Sequence, residues 1–144
     1  MIAIFDASIL IWRLEGAPVF RKAAQDALGR LVALHPQLQF GASRLARLEC
    51  RAKPLKDGDA ELLAQYEHAF AHDLRLFEIT ADVIERATIL RAMQGLKTAD
   101  AIHAATALLA GPAVFVTGDP AFERVPELKV CLVEPATPRR RSNR

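Results

Sequence analysis

Two short apolar runs end in an aspartate, and this pattern constrains the fold more than any other feature of the chain. Met1-Ile-Ala-Ile-Phe5 stops at Asp6, and Ala113-Val-Phe-Val-Thr117 stops at Gly118-Asp119-Pro120. Apolar runs of this length without alternation predict strands buried on both faces, as in a parallel sheet covered by helices. The chain between them supplies such helices. Phe20, Ala23, Ala24, Ala27, Leu28 and Leu31 recur at three- and four-residue steps and predict an amphipathic helix over residues 19–34, ending near His35-Pro36. A second strand is expected over residues 37–40, closed by Gly41, followed by a helix from a Ser43 cap through Ala52.

Further along, Leu62, Leu63, Tyr66, Ala69 and Phe70 predict one helix over residues 57–73, and residues 74–79 a short strand. Thr80 is expected to cap a helix over 81–94 that stops at Gly95. Thr98 is expected to cap a helix over 99–110 that stops at Gly111-Pro112, and residues 129–133 form a last strand. Alternating strands and helices predict an α/β domain with a parallel sheet between helical layers. No repeat or linker divides the chain, so residues 1–134 read as one domain and residues 135–144 as a mobile basic tail.

Charge sharpens that division. The 144 residues carry 19 Lys+Arg against 17 Asp+Glu, a formal +2, yet Arg139, Arg140, Arg141 and Arg144 all lie in the last six positions. Residues 1–138 hold 15 basic and 17 acidic side chains, a net −2. A slightly acidic body with a basic tail is no generic nucleic-acid binder, although the tail can add salt-dependent phosphate contacts. Cys50 and Cys131 form neither a CxxC pair nor a disulfide framework, which fits a reducing compartment. No basic region precedes the first apolar run, and the longest nearly apolar stretch, residues 104–116, is too short to span a bilayer. A cytoplasmic protein without membrane contact is expected.

Four acids stand where helix or strand packing alone does not call for them. Asp6 and Asp119 follow strands whose carboxyl ends share one edge of a parallel sheet, the edge where open α/β folds bind ligands. Helix capping is the competing explanation for both, since Asp is a good N-cap and Pro120 suits a first helical position. Glu49 falls on the side of its helix that carries Leu45, Leu48 and Ala52, opposite Arg44, Arg47 and Arg51. Its carboxylate is costly there unless paired or bound to a cation. Asp100 opens a helix with six alanines, where the helix dipole favours an acid, and only Lys97 and His103 are comparably polar nearby.

Brought together, these four acids repel one another unless a cation neutralises them or some hold protons. Oxygen-only ligands suit Mg²⁺ or Mn²⁺ better than zinc, and hydrolysis of phosphate esters is chemistry that uses such a site. His68 and His72 are four apart but lack a Glu after the first and a third ligand, so they make a poor zinc motif. His103 reads as a packing histidine, Trp12 as a cover for core or a dimer contact, and the arginine stripe as a solvated face. No P-loop or Gly-rich dinucleotide fingerprint is present. A dehalogenase-type phosphatase wants a second Asp where Ser8 stands, and a receiver domain wants an acidic pair where only Asp6 is found.

The chain resembles the PIN-domain ribonucleases, specifically the toxins of VapBC-type toxin–antitoxin pairs. The resemblance rests on Ile4-Phe-Asp6-Ala-Ser8, Ser43-x-Leu45-x-x-x-Glu49, Lys97-Thr-Ala-Asp100-Ala-Ile-His103-Ala-Ala and Thr117-Gly-Asp119-Pro-Ala-Phe122, in that order. The family pattern often has Asn between the Thr and Asp of the last motif, where this chain has Gly118.

The resemblance implies a three-layer sandwich with about five parallel strands, and a Mg²⁺- or Mn²⁺-dependent endoribonuclease that hydrolyses phosphodiesters in line, without a covalent enzyme intermediate. By position it implies Asp6 and Asp100 as direct metal ligands. Glu49 and Asp119 complete the catalytic acidic cluster, Asp119 through water or a second metal. Ser8 and Thr117 are implied as hydroxyls that orient carboxylates. It also implies a structured RNA substrate, a small antitoxin partner and a homodimer. The alternative is a non-catalytic PIN-like module that binds RNA or protein.

Overall fold

A computed structural model describes residues 1–136; Arg139–Arg141 and Arg144, which carry the expected basic tail, lie outside them. Five parallel strands form one sheet: β1 (Ile2–Phe5), β2 (Gln39–Ser43), β3 (Arg75–Phe77), β4 (Ala113–Thr117) and β5 (Val130–Leu132). Their order is β3-β2-β1-β4-β5. The chain therefore builds outward from β1 in one direction, then returns and builds outward in the other. The switch falls between β1 and β4, where such sheets open a crevice at the carboxyl ends of their strands.

Each face of the sheet has its own core. Ala3, Phe5, Val114 and Val116 point to one side and pack with α1 (Ala7–Glu15), α2 (Pro18–Leu34), α3 (Arg44–Asp57) and α4 (Ala60–His68). Ile2, Ile4 and Phe115 point to the other side, against α5 (Ala81–Gln94), α6 (Thr98–Leu109) and a 3₁₀ turn at Pro120–Arg124. Side chains alternate along a strand, so β1 feeds both cores and is buried throughout. The doubly covered parallel sheet is the architecture expected from the unalternating apolar runs.

Several boundaries differ from the sequence reading. Gly41 lies inside β2 rather than closing it, because the backbones crowd there. A Cβ at Gly41 would sit 2.9 Å from the Arg75 carbonyl oxygen and 3.0 Å from Ile2 Cδ1. The helix expected over 57–73 is two pieces, α4 and a π-helical turn at Ala69–Asp73. Helix α3 runs past Ala52 to Asp57 and stops at Gly58. Lys97, not Thr98, occupies the cap position of α6, and Thr98 is its first residue.

The face of α3 also differs. Ala46, Cys50 and Pro54 are the buried stripe, whereas Leu48 is 61% exposed and Ala52 is exposed. Small side chains let this helix approach its neighbours closely, and the larger leucine is left outside. Two of the three arginines that flank this stripe have side-chain partners. Arg44 forks onto Glu78, Arg51 lies 3.6 Å from Glu67, and Arg51 Nε donates to the Arg47 carbonyl at 3.2 Å.

Candidate active site

Register places Asp6 beside Thr117 at the carboxyl edge, since Phe5 of β1 pairs with Val116 of β4. Asp6 stands at the cap position of α1 but makes no side-chain cap bond. Its two carboxylate oxygens are taken by hydroxyls instead. Ser8 Oγ donates to Oδ1 and Thr117 Oγ1 donates to Oδ2, both at 2.6 Å. Asp6 is 6% exposed, and burial pushes its carboxyl above the ordinary 3.8, opposed by those two hydrogen bonds.

Asp119 behaves differently. Its backbone N–H donates to Thr117 Oγ1 at 3.0 Å, and its Oδ1 accepts from the Ala121 N–H at 2.9 Å. The capping explanation, open for both acids in the sequence, thus describes Asp119 and not Asp6. Thr117 links the two, donating to one acid and accepting from the backbone of the other.

Glu49 and Asp100 arrive from helices on opposite faces of the sheet. Asp100 occupies the first turn of α6 and is partly buried. Burial pushes its carboxyl up, and the negative charges of Asp119, Asp6 and Glu49 push the same way; His103 opposes them. Asp119, Asp6 and Glu49 therefore all lie within electrostatic reach of Asp100. Glu49 flanks the buried stripe of α3, and its Oε1 lies 2.5 Å from His103 Nε2.

That pair is a connection the sequence reading missed. The sequence leaves the partner of Glu49 unnamed and His103 to packing. His103 is 2% exposed on α6, and its Nδ1 has no hydrogen-bond partner. An imidazole on an otherwise apolar helix was the available signal, because a buried polar group needs a partner.

The donor set fits a hard divalent cation. Every acid offers oxygen, and the repulsion that adds to burial in raising the Asp100 carboxyl is relieved by positive charge. Among the described residues, no three His, Cys, Asp or Glu side chains enclose one cation position. Mg²⁺ does not require such a cage, since it is commonly held by one or two carboxylates and retains waters.

An open parallel α/β sheet with aspartates at the carboxyl ends of the two strands that flank its switch point is the class that fold and site define. A family model for the PIN domain matches residues 3–128. The chain belongs to the PIN-domain family. Solved structures agree on the fold. A toxin–antitoxin complex from Klebsiella pneumoniae superposes with TM-score 0.73 at 26% identity, covering 93% of this chain and 99% of the other. VapBC2 from Rickettsia felis, bound to a DNA fragment from its promoter, gives 0.74 at 20% identity, covering 93% and 100%. VapBC-1 from nontypeable Haemophilus influenzae gives 0.72 at 18% identity, covering 92% and 98%. Comparison with curated proteins finds no match. Among the described residues, no helix is long and apolar enough to cross a membrane.

Proposed function

We propose that this protein is a Mg²⁺- or Mn²⁺-dependent endoribonuclease and the toxin of a toxin–antitoxin pair. The observation that carries the reading is a PIN domain in which the Asp100 carboxyl on α6, raised by burial, also feels the negative charges of Asp119, Asp6 and Glu49. Likeness to a toxin–antitoxin complex at 26% identity over 93% of the chain supports the toxin role and a small protein antitoxin as partner. A homodimer and an RNA substrate belong to the same reading.

In this reading Asp6 and Asp100 hold the cation, and Glu49 and Asp119 complete the negative site. A bound divalent ion supplies a water of lowered pKa and offsets charge on the phosphate oxygens. The protein supplies position. Ser8 and Thr117 each occupy one oxygen of Asp6 and fix its carboxylate plane, leaving further lone pairs free. His103 fixes one oxygen of Glu49, and the other remains available to a water or a phosphate-bound group.

The test uses purified, antitoxin-free protein and total RNA with Mg²⁺ or Mn²⁺, with EDTA, and with the Asp100→Asn variant. Mapping of new 5′ ends should show discrete cuts by the wild type that vanish in both controls. Cuts that persist with Asp100→Asn, or a wild type that makes none, would overturn the assignment.

A further inference from the structure

Gly118 joins Thr117 to Asp119, and its backbone does not adopt the left-handed conformation for which glycine is usually reserved. Glycine is needed there for space. A Cβ at position 118 would lie 2.2 Å from Cη2 of Trp12 and 2.7 Å from its Cζ2 and Cζ3. Carbon atoms in ordinary contact sit about 3.5–4.0 Å apart, so the indole rests directly on the Gly118 backbone. The ring is held from behind by Phe20 of α2, with centroids 5.1 Å apart and planes inclined by 49°. It also packs against the core beneath α1 and α2.

Hydroxyls hold the same segment. The Gly118 N–H donates to Ser8 Oγ at 3.3 Å, and the Asp119 N–H donates to Thr117 Oγ1 at 3.0 Å. Ser8 and Trp12 are four residues apart on α1, so one helical face presents both the hydroxyl and the indole to the 117–119 segment.

We propose that Trp12 is a positioning residue for Asp119: its indole clamps the Gly118 peptide against the Ser8 hydroxyl and so sets where the Asp119 carboxylate points. Trp12 acts through the glycine. Its consequence is an exclusive choice. This chain has Trp12 with Gly118, and a side chain at 118, including the Asn frequent in the family pattern, must either displace the indole or be matched by a smaller residue at 12. The inference rests on the proposed metal-dependent reading of the acidic cluster.

The test compares wild type, Gly118→Asn, Trp12→Leu and the double variant. Mn²⁺ affinity by calorimetry without RNA and RNA cleavage are read on all four, and tryptophan emission on the wild type and Gly118→Asn, which keep Trp12. Trp12 is the sole tryptophan, so emission reports the clamp directly. Gly118→Asn should displace the indole, red-shift emission and weaken Mn²⁺ binding by about 10-fold, within the range for residues that orient ligands. The double variant should bind Mn²⁺ more tightly than Gly118→Asn alone, because the leucine frees the space.

Gly118→Ala, with a single added carbon, is the substitute should the Asn variant fail to fold, and it should lower affinity in the same direction. Unchanged Mn²⁺ affinity with unshifted emission, or additive losses in the double variant, would overturn the clamp. A wild type that binds Mn²⁺ but cuts no RNA would overturn the nuclease reading alone. A wild type that does neither would overturn both.

Discussion

The two strand-end aspartates occupy equivalent places in the sheet and are held in opposite ways. At the end of β1, Asp6 is almost fully buried, spends no oxygen on capping, and is gripped by Ser8 and Thr117. At the end of β4, Asp119 commits one oxygen to the Ala121 N–H and caps a 3₁₀ turn. The sequence context of an acid after an apolar run is the same in both. What differs is the helix that follows: α1 begins with Ala-Ser, whose hydroxyl turns back to the acid, whereas Pro120 starts a turn that draws Asp119 into its cap. One acid is thus a rigid fixture, and the other divides its carboxylate between structure and site.

Substitutions that separate these roles should differ in size. Asp6→Asn should have the largest effect, lowering RNA cleavage under single-turnover conditions by more than the roughly 100-fold upper range for residues that merely orient a ligand. Thr117→Val, which keeps the shape and removes the hydroxyl, should cost about 10- to 100-fold in Mn²⁺ affinity by calorimetry. Ser8→Ala should cost less than Thr117→Val, because the buried Thr117 hydroxyl receives the Asp119 N–H at 3.0 Å, whereas Ser8 receives that of Gly118 at a longer 3.3 Å. Equal losses in the two hydroxyl variants would erase the proposed link between the corners.

For Asp119 the division can be read by thermal melting. Asp119→Asn should leave stability unchanged, since Asn caps as well as Asp, yet weaken Mn²⁺ binding; Asp119→Ala should lose about 1 kcal/mol besides. The smallest effect concerns pH. Burial holds the Asp6 carboxyl above 3.8, so between that value and the raised one the folded protein binds more protons than the unfolded chain. In EDTA the melting temperature contribution of this group should fall as pH rises through that window. Asp6→Asn should flatten the fall, and Mn²⁺ should reverse it at neutral pH by binding the folded state.

The layered α/β architecture was legible because unalternating strands and three- and four-residue helical spacing leave few alternatives. The four acids were legible as misfits of polarity. What escaped the sequence depended on distance across the chain. The inward face of α3 could not be chosen by counting apolar residues, because packing selected the small Ala46 and Cys50 and left Leu48 in water. Glu49 meets His103 only because α3 and α6 converge, 54 positions apart. Gly41 and Gly118 both read as local breaks. Each is instead a place where another part of the molecule comes too near for a side chain, the β3 backbone in one case and an indole in the other.

The bond from Thr117 to Asp6 spans 111 positions, and β1 cannot be enclosed on its second side until β4 exists. During synthesis, β1, α3 and the acids they carry emerge well before the Thr117 hydroxyl that holds one oxygen of Asp6. Parallel pairings of such high sequence separation form late in folding. A nascent or truncated chain that stops before residue 117 therefore carries three of the four carboxylates with only one of the two hydroxyls that orient the first, and the pair is completed only once β4 has been made.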